Sequence, residues 1–197
     1  MEITELVKRL KGEEIKGNLK RNAAYAKWSE EHMSKAEFNL LSARVEHLIL
    51  TNDDIRNTSE LFSTYDKFDW LIIKSYYSMY HAALALLAEI GFKTETHFAT
   101  MASFELFFVR RNKLVEEKFL RMFIEIMNRV GTIPYDYVKM IIKARNIRHV
   151  AQYDVTTSIV RKEAEDSFEK AIEFVEEMEK VYDKLKEIKK ELNLKIL

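Results

Sequence analysis

A cluster of basic and proton-transferring residues lies in the last third of the 197-residue chain. On a helix, Arg145, Arg148 and His149 occupy positions i, i+3 and i+4, so they share one face. Asn146 and Tyr153 add an amide and a phenol nearby. Arginine grips phosphate oxygens in bidentate pairs, and histidine transfers protons near neutral pH. The pattern fits metal-independent RNA cleavage, in which one group deprotonates a ribose 2′-hydroxyl and an arginine stabilises the charged phosphorane.

A structural role for the same basic residues is also consistent with their position. Basic side chains in the last turn of a helix offset the helix dipole and bind free carbonyl groups. Arg145 and Arg148 can do this alone, or they can pair with acidic residues of the helix that follows. Residue type and spacing therefore leave both roles open.

A second group of candidates lies in an aromatic stretch of a predicted helix and just after it. Tyr77 and His81 form an i, i+4 pair, and His97 follows Gly91 at the start of the next predicted helix. Histidine and aromatic residues at helical spacing usually belong to a core. Core packing is therefore the commoner role for these three residues, and substrate binding is the functional role that we assign to them.

The composition excludes several kinds of chemistry. The chain has no cysteine, which rules out disulfides and Cys-ligated metal sites. Its four glycines form no phosphate-binding loop, and no Glu-x-x-His or His-Glu-x-x-His pattern occurs. We therefore expect no metal and no cofactor. Because 32 basic and 32 acidic residues cancel, a site for a polyanion must come from a local cluster.

The sequence gives no sign of a membrane segment or a secretory signal. The longest uncharged run, residues 75–88, is too short and too polar to span a bilayer. The first residues carry alternating charges and no apolar core follows them. We expect a cytoplasmic protein without a membrane partner.

Apolar residues at three- and four-residue steps predict an all-α fold, an antiparallel bundle of four to six helices with no sheet. The predicted helices are 22–50, 66–90, 96–111, 114–130, 135–150 and 158–192. The apolar set that marks the first of them is Phe38, Leu41, Val45, Leu48 and Ile49. The helix over 66–90 is apolar nearly all round, so we expect it at the centre.

Two glycines and a polar stretch separate the beginning of the chain from this bundle. We predict an N-terminal arm or short helix over residues 1–25 and the helical bundle over residues 26–197. The arm carries a short amphipathic pattern, and its partner surface is not evident from sequence.

Four stretches together resemble the HEPN domain family of helical, nucleotide- and RNA-associated proteins, and the small archaeal and bacterial members above all. The stretches are 35–41, 69–87, 91–110 and 145–153. The second is the most specific, because it contains Tyr-Tyr-Ser-Met-Tyr-His-Ala-Ala at residues 76–83.

The resemblance implies a bundle of four or five helices that forms a homodimer. The family includes toxin–antitoxin ribonucleases and ribonuclease domains of defence systems, and some members have a minimal nucleotidyltransferase as partner protein. In its ribonucleases an arginine and a polar residue precede a histidine by four to six intervening residues. Arg145 and Asn146 match that start, but only three residues separate Arg145 from His149.

Two functions follow as expectations from the resemblance and the local chemistry. In the first, the chain is a toxin-like, metal-independent endoribonuclease in which Arg145 and His149 are catalytic, while Asn146, Arg148 and Tyr153 bind RNA. In the second, it is a non-catalytic module that holds a nucleotide, an RNA or a partner protein such as a nucleotidyltransferase.

Overall fold

The structure is a computed structural model, and it describes residues 2–60, 67–132 and 161–192. The elements in these ranges are α1 (Ile3–Ile15), β1 (Leu19–Arg21), a 3₁₀ helix (Ala23–Trp28), α2 (Ser29–Thr51), α3 (Asp53–Arg56), α4 (Phe68–Glu89), β2 (Phe92–Thr94), α5 (His97–Phe104), a π-helix that continues α5 (Glu105–Arg111), α6 (Glu117–Thr132) and α7 (Arg161–Ile188). This confirms the predicted all-α class. The helix predicted over 135–150 lies outside the described residues.

The central element is α4, as its nearly continuous apolar surface predicts. Most of its 22 residues are buried, and it packs against α2, α6 and α7. It runs antiparallel to α2, because Ser29 at the start of α2 donates to Glu89 at the end of α4 (2.7 Å). Lys74 and Glu46 form a partly buried ion pair between the other ends of these helices.

Helices α6 and α7 close the bundle over a cluster of phenylalanine rings. They run antiparallel, since Lys118 near the start of α6 pairs with Glu173 of α7 at 3.0 Å, whereas Arg129 near the end of α6 pairs with Asp166, which comes earlier in α7, at 2.7 Å. The rings of Phe123 and Phe174 pack between them at 5.5 Å. None of the helices in the described ranges has the length and hydropathy that a membrane span requires.

A short antiparallel ribbon joins the beginning of the chain to the bundle. Leu19 pairs with Thr94 and Arg21 with Phe92, which gives the two-stranded sheet β1–β2. The sequence prediction had no sheet, because strands of three residues are too short to show alternation. Gly91 precedes β2 with a φ of +83°, and a Cβ there would lie 3.2 Å from the backbone oxygen of Asn22.

Helix α1 is part of the hydrophobic core. Leu6 and Leu10 are fully buried, and α1 contacts α5 and its π-helical continuation. The short helix predicted within residues 1–25 is therefore present and packed on the bundle. A domain division at residue 25 stays a prediction.

Helix α2 has two apolar faces. One is buried against α4 and consists of Met33, Ala36, Leu40, Ala43 and Leu50. The other, which we call the apolar stripe, consists of Phe38, Leu41, Val45 and Leu48, with 70, 59, 50 and 49% of these residues exposed. The stripe contains most of the residues that predicted this helix from sequence.

Candidate functional site

The basic cluster of the sequence analysis falls in a segment that the structure does not describe. Arg145, Asn146, Arg148, His149 and Tyr153 all lie between residues 132 and 161, outside the described residues. Their roles as catalytic and substrate-binding residues stay predictions.

The two ends of that segment lie close together. Arg129, in the last turn of α6, donates from Nη1 to the backbone oxygen of Glu163 at 2.9 Å and to Ser167 Oγ at 2.8 Å. The same guanidinium pairs with Asp166 at 2.7 Å. The chain therefore leaves α6 and enters α7 at one end of the bundle.

The other candidates belong to a ring cluster on α2, α4 and α5. We use this name for Tyr76, Tyr77, Tyr80, His81, His97 and His32. Tyr76 and Tyr80 are four residues apart on α4, so their rings stack, with centroids 5.9 Å apart. The Tyr76 hydroxyl is hydrogen-bonded to His97 Nδ1, and the Tyr80 ring lies 4.6 Å from the His97 ring.

The start of α5 holds His97 in this position. Thr96 is the N-cap residue, and its hydroxyl accepts a hydrogen bond from the backbone N–H of Ala99 at 3.1 Å. His97 is then the first helical residue, and its ring turns toward α4. The helix predicted over 96–111 therefore begins within one residue of its predicted start.

Threonine hydroxyls connect the cluster to the ribbon. Thr100 Oγ1 lies 2.7 Å from Thr94 Oγ1 in β2 and 3.4 Å from the hydroxyl oxygen of Tyr80. Thr94 and Thr100 are buried, so the Tyr80 hydroxyl is held on the side that faces the protein interior.

A pair of histidines forms the other end of the cluster. His32 Nδ1 and His81 Nδ1 are 3.3 Å apart, whereas the ring centroids are 5.6 Å apart. The two nitrogens therefore point toward each other, and one imidazole donates while the other accepts. When both rings are neutral, this contact requires opposite tautomers, with the proton on Nδ1 in one ring and on Nε2 in the other.

Tyr77 links the two ends of the cluster. Its ring meets Tyr80 edge to face with centroids 6.5 Å apart, and it lies 6.5 Å from His81. The three candidates Tyr77, His81 and His97 are thus brought into one cluster. That they bind substrate stays a prediction.

Burial determines the protonation of the cluster. It raises the pKa of Tyr76, Tyr77 and Tyr80, so these phenols keep their protons and can donate hydrogen bonds. Burial lowers the pKa of His97, although the residue as a whole is exposed, and it lowers the pKa of His32. Both imidazoles are therefore neutral at pH 7 and can accept a proton.

Cations border the cluster where β2 leads into α5. Lys20 and Lys93 both pair with Glu95, at 3.1 and 2.9 Å, two residues before His97. Two ammonium groups thus share one carboxylate. In the parts of the chain that the structure describes, no three histidine, aspartate or glutamate side chains converge as a metal site would require.

Sequence reasoning missed four members or supports of the cluster. Tyr76 and Tyr80 stand in the same aromatic run as Tyr77, and their i, i+4 spacing was a usable signal. His32 and Thr100 gave no local signal. His32 is 49 residues from its partner His81, so only the packing of α2 on α4 reveals it.

A comparison with known protein families identifies the family of this chain. The HEPN domain matches residues 45–185, which are 141 of the 197 residues. The chain belongs to the HEPN domain family. The matched span includes α4, the start of α5 and the basic cluster at 145–153, whereas His32 precedes it. No curated protein and no solved structure gives a significant match. HEPN domains often form dimers and act on RNA.

Proposed function

We propose that this HEPN protein is a toxin-like, metal-independent endoribonuclease of the cytoplasm. Arg145 and His149 are the proposed catalytic residues, and Asn146, Arg148 and Tyr153 contact the RNA beside them. The observation that carries the proposal is the ring cluster, where His97 meets Tyr76 and Tyr80 at a partly exposed surface within the family span.

The ring cluster suits a nucleobase. Single-stranded RNA is held by stacking of bases on aromatic and histidine rings and by hydrogen bonds to base edges. The half-exposed residues Tyr77 and His81 and the exposed His97 supply such ring faces. Phenols that stay protonated donate to base oxygens and ring nitrogens, and neutral imidazoles accept from amino groups.

The adjacent charges suit the phosphate backbone. Lys20 and Lys93 share the single carboxylate of Glu95, so the border of the cluster keeps an excess positive charge. Because the whole chain is neutral, this local excess is the kind of footprint that a phosphate needs.

The proposed reaction uses the 2′-hydroxyl of the RNA. His149 takes its proton, and the 2′-oxygen forms a bond to the adjacent phosphorus while the bond from phosphorus to the 5′-oxygen breaks. Arg145 stabilises the charge that builds on the phosphorane, and the leaving 5′-oxygen takes up a proton from water, which regains one from protonated His149. The products carry a 2′,3′-cyclic phosphate and a free 5′-hydroxyl.

The test is RNA cleavage in the presence of EDTA by the wild type, Arg145→Ala and His149→Ala. Arg121→Ala is the matched control, because Arg121 is 70% exposed on α6. We expect cleavage to survive EDTA, to leave cyclic phosphate ends and to fall about 100-fold or more in the first two variants only. No cleavage by the wild type, or equal cleavage by all proteins, contradicts a catalytic role.

One observation favours a second candidate function. Only three residues separate Arg145 from His149, which is shorter than the spacing in the ribonucleases that the sequence resembles. The alternative is a non-catalytic module that binds a nucleotide or RNA through the ring cluster, with a nucleotidyltransferase as partner protein.

Binding measurements separate the two candidates. Titration calorimetry with AMP and with a single-stranded RNA oligonucleotide is compared for the wild type, Tyr77→Ala and His81→Ala. Tyr25→Ala is the control, since Tyr25 stacks on Trp28 outside the cluster. Binding that depends on Tyr77 and His81, without cleavage, supports the module; absence of both activities contradicts both candidates.

A further inference from the structure

A groove lies between the exposed face of α1 and the start of α5. Its volume of about 320 Å³ is at the lower end of the range for sites that hold a small molecule. Phe98 forms the α5 side of this groove. The other side is one face of α1 with its C-cap residue, and it consists of Glu5, Lys8, Arg9, Gly12, Glu13 and Lys16. We call this surface the α1 groove.

The α1 groove begins beside the ring cluster. His97 belongs to the cluster, and Phe98 is the next residue of α5. Because consecutive residues of a helix point about 100° apart, the His97 ring turns toward α4 and the Phe98 ring toward α1. Phe98 is 38% exposed, so part of its ring is open to a ligand. A strand that stacks on His97 therefore reaches the groove by crossing the first turn of α5.

The α1 groove has more cations than carboxylates. Two of its three cations already pair with its two carboxylates, Arg9 with Glu5 and Lys16 with Glu13, both at 3.0 Å. The third cation, Lys8, is exposed and pairs with no carboxylate of the described ranges. Solvent-exposed ion pairs contribute little to stability, so Arg9 can also turn to a phosphate at small cost.

Gly12 keeps the middle of the groove open. It lies in the interior of α1, where glycine is less favourable than alanine. A Cβ on Gly12 would meet no atom of another described element within 4 Å, so close packing does not require a glycine here. A long side chain at this position would enter the groove. An open groove therefore accounts for a residue that the stability of the helix disfavours.

We propose that the α1 groove binds the RNA strand beside the nucleotide that the ring cluster holds. A base stacks on Phe98, and its flanking phosphates pair with Lys8 and Arg9. An exposed ring face beside cations is the combination that holds single strands without reading their sequence. The inference rests on the RNA binding proposed for the ring cluster. It adds a contact on α1, which precedes the matched family span at residues 45–185.

Titration calorimetry with AMP and with an RNA of about eight nucleotides separates the groove from the ring cluster. The RNA carries 2′-O-methyl groups, so that the proposed reaction cannot cleave it. We expect Phe98→Ala and Gly12→Leu to weaken RNA binding about tenfold and to leave AMP binding unchanged. Phe38→Ala is the control for the first variant, since Phe38 is 70% exposed on α2, and Gly12→Ala is the control for the second. Circular dichroism checks that the variants are folded.

The salt dependence of binding tests the phosphate contacts. Each phosphate contact with a single strand contributes about −0.7 to the slope of log K against log salt concentration. Lys8→Ala should therefore make the slope for the RNA less negative by about 0.7. Lys11→Ala is the matched control, because Lys11 is exposed on α1 but does not line the groove, and it should leave the slope unchanged.

Three outcomes would overturn the α1 groove as an RNA site. The first is binding of AMP with no gain in affinity for the longer RNA, which leaves the proposed function intact. The second is RNA binding that depends on Lys8 but not on Phe98, which indicates general electrostatic attraction. The third is binding of neither ligand, which also removes the binding role of the ring cluster. Cleavage that depends on Arg145 and His149 tests the proposed function separately.

Discussion

The two apolar faces of α2 differ in the size of their residues and in what covers them. The buried face includes two alanines, Ala36 and Ala43, which let α4 approach closely. The side chains of the exposed face are all bulky, with Phe38 at one end and Leu48 at the other. Close packing of two helices favours small residues on the shared face, so within the described residues the face of α2 with the bulkier side chains is the exposed one.

Adjacent leucines give the sharpest test of this difference. Leu40 is 7% exposed and Leu41 is 59% exposed, although both belong to α2. We expect Leu40→Ala to lower the free energy of unfolding by about 3 kcal/mol, because it leaves a cavity against α4. Leu41→Ala should change it by less than about 0.5 kcal/mol under conditions where the chain is monomeric. Urea denaturation followed by circular dichroism measures both values, and equal losses would show that the two faces are not distinct.

Two glycines extend the comparison from side chains to the backbone. Gly91 has a φ of +83° and lies against Asn22, whereas a Cβ on Gly12 of α1 would meet no atom of another described element within 4 Å. Gly91→Ala should cost about 2 kcal/mol through backbone strain and contact. Gly12→Ala should stabilise the protein by about 0.5 kcal/mol, because alanine favours a helix interior. Thermal denaturation shows whether each substitution raises or lowers the melting temperature. A Gly91→Ala protein as stable as the wild type would contradict the close approach of Gly91 to Asn22.

Among the described residues the ring cluster is only partly buried, so its contacts should have intermediate effects. Tyr76→Phe removes the hydrogen bond to His97 and should lower the free energy of unfolding by about 1 kcal/mol. Tyr77→Phe is the control, because the Tyr77 hydroxyl makes no hydrogen bond among the described residues, and its effect should be below about 0.5 kcal/mol. Similar values for the two variants would mean that the hydrogen bond to His97 does not contribute to the free energy of unfolding.

The smallest expected effect is a dependence of stability on pH. Burial lowers the pKa of His32 and His97 in the folded state, so the unfolded chain binds more protons below about pH 6.5. Stability should therefore be complete above pH 7 and decrease as the pH falls toward 5.5. His97→Gln should reduce that decrease, whereas Tyr77→Phe should not. Urea denaturation at pH 7.5 and 5.5 gives the change in the free energy of unfolding between the two pH values. An equal change in all three proteins would contradict this role of His97.

The helices were largely predictable from sequence because periodicity and caps are local signals. The predicted helix over 66–90 is α4 at 68–89, and the predicted helix over 158–192 contains α7 at 161–188. The helix predicted from residue 96 begins at His97. Periodicity could not tell which face of α2 is buried, since that depends on the residues that α4 offers to it.

The candidate site was predictable only in part. Tyr77 and His81 stood out because they share one helix face in one short run. The contact between His32 and His81 joins two helices, and no pattern within either helix predicts it. The ribbon was missed because its pairing depends on a turn at Gly91 and on residues more than seventy positions away.

The β1–β2 ribbon also fixes the order in which the protein can be completed during synthesis. Leu19 pairs with Thr94, so 75 further residues must be made before β1 has its partner strand. At about 5–20 residues per second, this delay is roughly 4–15 s. For that time Leu6 and Leu10, which are fully buried in the finished protein, remain open to chaperones and to neighbouring nascent chains. Helix α1 is therefore translated well before the elements that cover it.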